Sequence, residues 1–135
     1  MMSFMFVLPN PFKKIELFGL VFYMFVMLSF LLYLVIYKMV KMVVKKSDKP
    51  GKKLMAVFTK DNGRTKKTYF GSAGMDDYTL TKDKEQRKRY RTRHQKDLQT
   101  KDYTRAGYLS YYILWGNSTS RKENISAYKK RFNLN

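Results

Sequence analysis

Twenty-one consecutive uncharged residues, Leu17–Tyr37, constrain this chain more than any other feature. A helix rising about 1.5 Å per residue crosses a hydrocarbon core of roughly 30 Å in that length. The stretch is apolar on every face, which suits a bilayer or the interior of a large protein. The polar remainder of a 135-residue chain is too small to wrap it. A cleaved signal peptide has a shorter apolar region, about 7–15 residues, that ends at small side chains. This one ends Leu34-Val35-Ile36-Tyr37-Lys38. The reading is a retained transmembrane helix over 17–37.

Charge divides the chain at the same point. Only Lys13, Lys14 and Glu16 carry charge before residue 38, so residues 38–135 hold 26 of the 28 basic residues and 9 of the 10 acidic ones. A net +17 on 98 residues calls for a polyanionic partner: an anionic leaflet, an acidic protein surface or nucleic acid. The lysines after the span, Lys38 to Lys53, outnumber those before it, which places the C-terminal part on the cytosolic side. Lys38, Lys41 and Lys45 are spaced as one face of a helix that continues past Tyr37. With Lys46, they are the expected contacts to lipid headgroups. Ser47-Asp48-Lys49-Pro50-Gly51 then stops that helix. The organisation expected is an interfacial segment over 1–16, the span over 17–37, a polybasic juxtamembrane linker over 38–53 and a small basic domain over 54–135.

Within that domain, Leu54–Thr59 and Lys67–Phe70 read as two strands joined at Asp61-Asn62-Gly63. Gly71–Gly74 reads as a loop, without a phosphate-binding pattern around it. Residues 81–98 read as a helix capped by Thr79 or Thr81, with Tyr90, His94 and Leu98 as its inward stripe. The apolar segment Ala106–Gly116 is too short to span and forms the centre of the domain. Ser120 and Glu123 make a capping box for a last helix that buries Ile125, Tyr128 and Phe132. The fold class expected is mainly α: one transmembrane helix, then a small basic α+β domain with one β-hairpin and about three short helices.

The chemistry on offer is binding rather than catalysis. No cysteine is present, so disulfides, thiolate catalysis and cysteine zinc sites are excluded. His94 is the sole histidine, and neighbouring Asp76 and Asp77 diverge on any regular element. No catalytic constellation, cofactor motif or metal-ligand spacing stands out, and the chain reads as a non-enzyme with no small-molecule substrate. Arg87, Lys88, Arg89, Arg91 and Arg93 are the candidate partner-binding residues. Arginine suits the carboxylates of an acidic neighbour. As a nucleic-acid site the cluster lacks a known module, although Tyr90 and Tyr103 are candidates for base stacking. Two glycosylation sequons, at Asn117 and Asn124, stay unused in cytosolic topology.

Lys67-Thr-Tyr-Phe-Gly-Ser-Ala-Gly-Met-Asp-Asp-Tyr-Thr79, Lys82-Asp83, Arg89-Tyr90, Arg93-His94, Ala106-Gly107, Ser110 and Leu114-Trp115 together resemble a family of short proteins from giant nucleocytoplasmic DNA viruses of the chlorovirus and mimivirus groups. The likeness covers roughly residues 66–116 and leaves out the anchor. That family has no assigned activity. The resemblance implies a viral origin, in virions whose icosahedral shell encloses a lipid membrane. The resulting expectation is a membrane-anchored minor capsid protein in the virion's internal membrane. Its basic domain would face the shell and bind capsid proteins. The alternative is a membrane-tethered nucleic-acid-binding protein.

Overall fold

The computed structural model describes residues 11–37 and 39–135, which form two units. The first is a helix, α1 (Pro11–Tyr37). Its Lys14–Val35 stretch is long and apolar enough to cross a membrane, and none of it is buried by protein. Most of the expected interfacial segment, residues 1–10, lies outside the described residues, as does Lys38.

The second unit starts with β1 (Lys41–Lys46), β2 (Lys52–Thr59) and β3 (Thr65–Ser72). They form a three-stranded antiparallel sheet in the order β1-β2-β3. This overturns the mainly α expectation and its single hairpin. The β2–β3 pair stands where the hairpin was expected. The extra strand is built from residues assigned to a helical linker. The physical reason is a period of two: Val40, Met42 and Val44 all pack into the core. On a helix, alternate residues point about 200° apart, whereas on a strand they share one face. Met42 sits opposite Phe58 and Val44 opposite Ala56, while on the other side of β2 Leu54 sits opposite Phe70. Lys41, Val43 and Lys45 therefore share the outer face of the sheet, where Val43 aligns with Val57 and Lys67.

Gly71 bends the end of β3. Its φ is +73°, and a Cβ there would stand 2.7 Å from Leu114 Cδ1. A side chain would meet both backbone strain and a buried neighbour.

The single helix expected over 81–98 is broken. Asp77 caps a short turn, α2 (Tyr78–Thr81), by accepting from the Thr79 backbone N–H at 2.9 Å. Lys82 then turns left-handed with φ 58°. Asp83 restarts the chain as α3 (Lys84–His94), accepting from the N–H groups of Glu85 and Gln86 at 2.9 and 3.0 Å. The caps are thus aspartates rather than Thr79 or Thr81. Residues Gln95–Thr100 follow as a 3₁₀ turn.

The apolar segment forms α4 (Ala106–Leu109), which widens into a π-helical turn over Ser110–Leu114. Tyr108, Leu109, Tyr111, Ile113, Leu114 and Trp115 are all buried, so this segment is the centre of the domain as expected. In α5 (Arg121–Arg131) the N-cap Ser120 accepts from the Glu123 N–H at 3.3 Å. Tyr128 is buried, and Ile125 and Phe132 pack partly buried against the core. The last residues return to β1: the Asn135 N–H donates to Val40 O at 3.0 Å and the Met42 N–H to Asn135 O at 2.6 Å.

Candidate functional site: a cationic cleft beside helix α3

Four arginines occupy alternate positions on α3: Arg87, Arg89, Arg91 and Arg93. Residues four apart share a helix face and residues two apart do not, so the four divide into two pairs. The structure gives the pairs opposite fates. Arg87 Nε donates to Gly116 O at 2.6 Å and its Nη2 to Asn117 Oδ1 at 2.5 Å. Arg91 Nη1 donates to Trp115 O at 2.9 Å. Their guanidinium carbons lie 5.4 Å from the Tyr78 ring and 4.1 Å from the Tyr111 ring, within cation–π range. Burial, and then the Arg91 charge beside it, pull the Arg87 guanidinium below its ordinary pKa. This pair tethers the loop after Trp115 to α3.

Arg89 and Arg93 point the other way and line a cleft of about 740 Å³. Of the five basic residues expected to contact a partner, the cleft receives these two. Lys88 is exposed and lies outside the lining. Lys52 of β2 joins the two arginines from across the cleft. Among the described residues, none of Lys52, Arg89 and Arg93 makes an ion pair or a side-chain hydrogen bond. The other lysine in the lining, Lys53, donates to Asp77 Oδ2 at 2.7 Å. Asp77 is 1% exposed, and Arg121 Nη2 stands 3.6 Å from the same oxygen. Asp77 thus joins β2, α2 and α5 through a buried ionic node. Asp76, adjacent in sequence, is exposed at the cleft and has no ion pair among the described residues.

The aromatic wall is a stack of three rings. The Tyr90 ring is stacked between Trp115, at 4.3 Å, and His94, at 4.2 Å. His94 Nδ1 lies 3.0 Å from Asp97 Oδ2, which orients the imidazole. Burial raises the Tyr90 hydroxyl above its ordinary pKa. Tyr103, the other ring proposed for base stacking, stacks on Phe132 at 5.5 Å. Both rings are engaged within the fold. Among the described residues, no group of three or more His, Asp and Glu side chains is placed to hold a metal ion.

The lysines expected at the lipid surface lie on β1. Lys41 and Lys45 share its outer face, Lys46 ends the strand pointing the other way, and all three are exposed. Lys38 lies outside the described residues. The expected shared helical face of Lys38, Lys41 and Lys45 is replaced by a Lys-Val-Lys strand face.

The two sequon asparagines differ sharply. Asn117 is exposed. Asn124 is 3% exposed, and its Nδ2 donates to Ile113 O at 2.9 Å and Ser118 O at 2.8 Å while its Oδ1 accepts from the Ser118 N–H at 3.0 Å. Gly116 leaves room for this side chain, because a Cβ there would stand 2.6 Å from Asn124 Cγ. Sequence reasoning missed this lock. An Asn four residues into an amphipathic helix, next to its buried stripe, was the available signal.

Residues 42–94, less than half of the chain, match a family of unknown function (DUF5754). The matched region covers the sheet, α2 and α3. No match is found among curated proteins or among solved structures.

Proposed function

We propose that this protein is a membrane-anchored structural tether whose basic domain docks on acidic protein surfaces. The likeness of residues 66–116 implies a viral origin, and an anchor joined to a basic domain extends the proposal to a minor capsid component that links an internal virion membrane to the overlying shell. The observation that carries this reading is the joining of two parts by residues 38–40: a helix able to cross a membrane and a folded domain that holds nearly all of the chain's surplus positive charge. Each basic residue near an anionic leaflet contributes about 1 kcal/mol, so Lys41 and Lys45 on the outer sheet face support a hold on lipid. The arginines of the cleft, without ion-pair partners among the described residues, support a hold on carboxylates. A protein that bridges two surfaces needs both. A base-stacking role for Tyr90 or Tyr103 loses its support, since neither ring is free.

The test is retention and crosslinking in purified particles. The chain is expected to stay with virions washed in high salt and to leave only with detergent. Crosslinks from Lys82, Lys84, Lys88 and Lys96 are expected to reach capsid proteins. Absence from the particle, or crosslinks confined to nucleoproteins, overturns the reading.

A further inference from the structure

We infer that the cleft between β2–β3 and α3 is a docking site for an acidic polypeptide segment carrying an apolar side chain. This deepens the tether reading and rests on it.

Charge supplies the first argument. Arg89 and Arg93 are like charges one helical turn apart, a pairing that costs an isolated helix a few tenths of a kcal/mol. Lys52 adds a third cation, and none of the three has a described ion-pair partner. Their opposites on the same helix, Arg87 and Arg91, are anchored by hydrogen bonds. The lining carboxylates are Asp76 at the mouth and Asp97, which already faces His94. Three free cations against one free carboxylate leave an electrostatic vacancy that arginine forks fill best with carboxylates.

Apolar exposure supplies the second. Among the described residues of this unit, the large apolar side chains left exposed are Val43, Met75 and Leu80. Met75 is 64% exposed and lines this same cleft. A flexible thioether beside a cationic cleft suits an apolar side chain of a partner. A bare phosphate or a small polyanion would leave Met75 unused.

The occupant comes from another protein. Residues 1–10 contain no carboxylate, so that segment cannot supply the charge. A second copy brings a net charge of +18 against +18 and is repelled. Nucleic acid finds no open ring, because Tyr90 and Trp115 are stacked on one another.

The chain carries its own reporters. Its single tryptophan and single histidine, Trp115 and His94, both line the cleft. The experiment uses the full chain in nanodiscs of zwitterionic phosphatidylcholine. The probe is a ten-residue peptide of glutamates around one central leucine, free of tryptophan and histidine. Binding is expected to shift the Trp115 emission and the His94 ring resonances together. Arg89→Glu with Arg93→Glu is expected to weaken binding by at least about tenfold. Lys84→Glu with Lys88→Glu changes the charge equally outside the lining and is expected to weaken it less than about threefold. Arg89→Lys with Arg93→Lys, which keeps charge but removes the forks, is expected to fall between them.

Equal losses in the two glutamate variants, or binding that moves neither reporter, overturn the site. Reporters that respond to inositol hexakisphosphate but not to the peptide reassign the cleft to phosphate ligands. Reporters that respond to phosphatidylserine in the disc reassign it to lipid. Each of these results leaves the tether reading standing. That reading falls separately, if the chain is missing from particles.

Discussion

At the scale of single residues, the domain depends on two buried polar side chains that composition alone would not single out. Asn124 ties the π-helical turn to the loop that follows Trp115, donating to the Ile113 and Ser118 carbonyls and accepting from the Ser118 N–H. Removing it leaves buried groups without partners, at about 1–3 kcal/mol for each such group. Asn124→Ala is therefore expected to destabilise the domain by about 2–4 kcal/mol, read as a lowered melting temperature by circular dichroism. Asn117→Ala, on an exposed residue that accepts one bond from Arg87, is expected to cost under about 1 kcal/mol. Asp77 is the ionic counterpart. Its carboxylate pairs with Lys53 at 2.7 Å and with Arg121 at 3.6 Å, and the Thr79 hydroxyl also donates to it. Asp77→Asn keeps the shape and strands two cations, a loss of about 3–5 kcal/mol for a buried pair. A melt unchanged by either Asn124→Ala or Asp77→Asn would remove that residue from its assigned role. Sequence reading treated Asp77 only as a neighbour of Asp76 that diverges from it on any regular element. It could not identify Lys53 and Arg121 as the compensating groups, because these lie 24 and 44 residues away along the chain.

At the scale of elements, legibility followed the range of the forces involved. The β2–β3 hairpin was readable because its Asn62-Gly63 turn is local chemistry. The cap of α5 was readable for the same reason, since Ser120 and Glu123 are three residues apart. Strand β1 was not. Lys41-Met-Val-Val-Lys-Lys46 follows an apolar helix, and its lysines fit a helical face as well as a strand face. The choice is made by long-range pairing with 54–59, which a local pattern does not contain. Helix α3 was located by sequence, but its arginines were read together as one partner-binding cluster. Spacing alone, with alternate arginines pointing to opposite sides, would have divided them. The division predicts opposite outcomes on one helix. Arg87→Ala is expected to lower stability by about 1–3 kcal/mol through lost charge-assisted bonds and an unsatisfied Gly116 carbonyl. Arg89→Ala, with no bond to lose, is expected to stay within about 0.5 kcal/mol. Denaturant melts of the two variants decide the matter, and equal effects would cancel the two-sided account.

At the scale of the whole molecule, an apolar helix and a tyrosine-rich basic domain set the response to solution conditions. Burial raises the Tyr128 hydroxyl pKa far above its ordinary value, and its O–H donates to the Tyr103 carbonyl. Burial also raises Tyr90. A group whose pKa is higher in the folded state contributes stability that is complete below its unfolded value, near pH 10, and is lost as the pH rises past it. Alkaline titration of the full chain is therefore expected to leave tyrosine ionisation incomplete near pH 10. A later phase from Tyr90 and Tyr128 is expected to coincide with loss of the Trp115 signal. Ionisation of all eleven tyrosines in one phase near pH 10, with structure retained, would contradict this. The lock at Asn124 has a consequence of another kind, for any copy whose domain is made in a glycosylating lumen. There a transferase acting before the domain closed would reach the Asn124-Ile125-Ser126 sequon. A glycan on that nitrogen takes one of its two donor hydrogens and has no room at a buried side chain, so such a copy is expected not to close into the native domain.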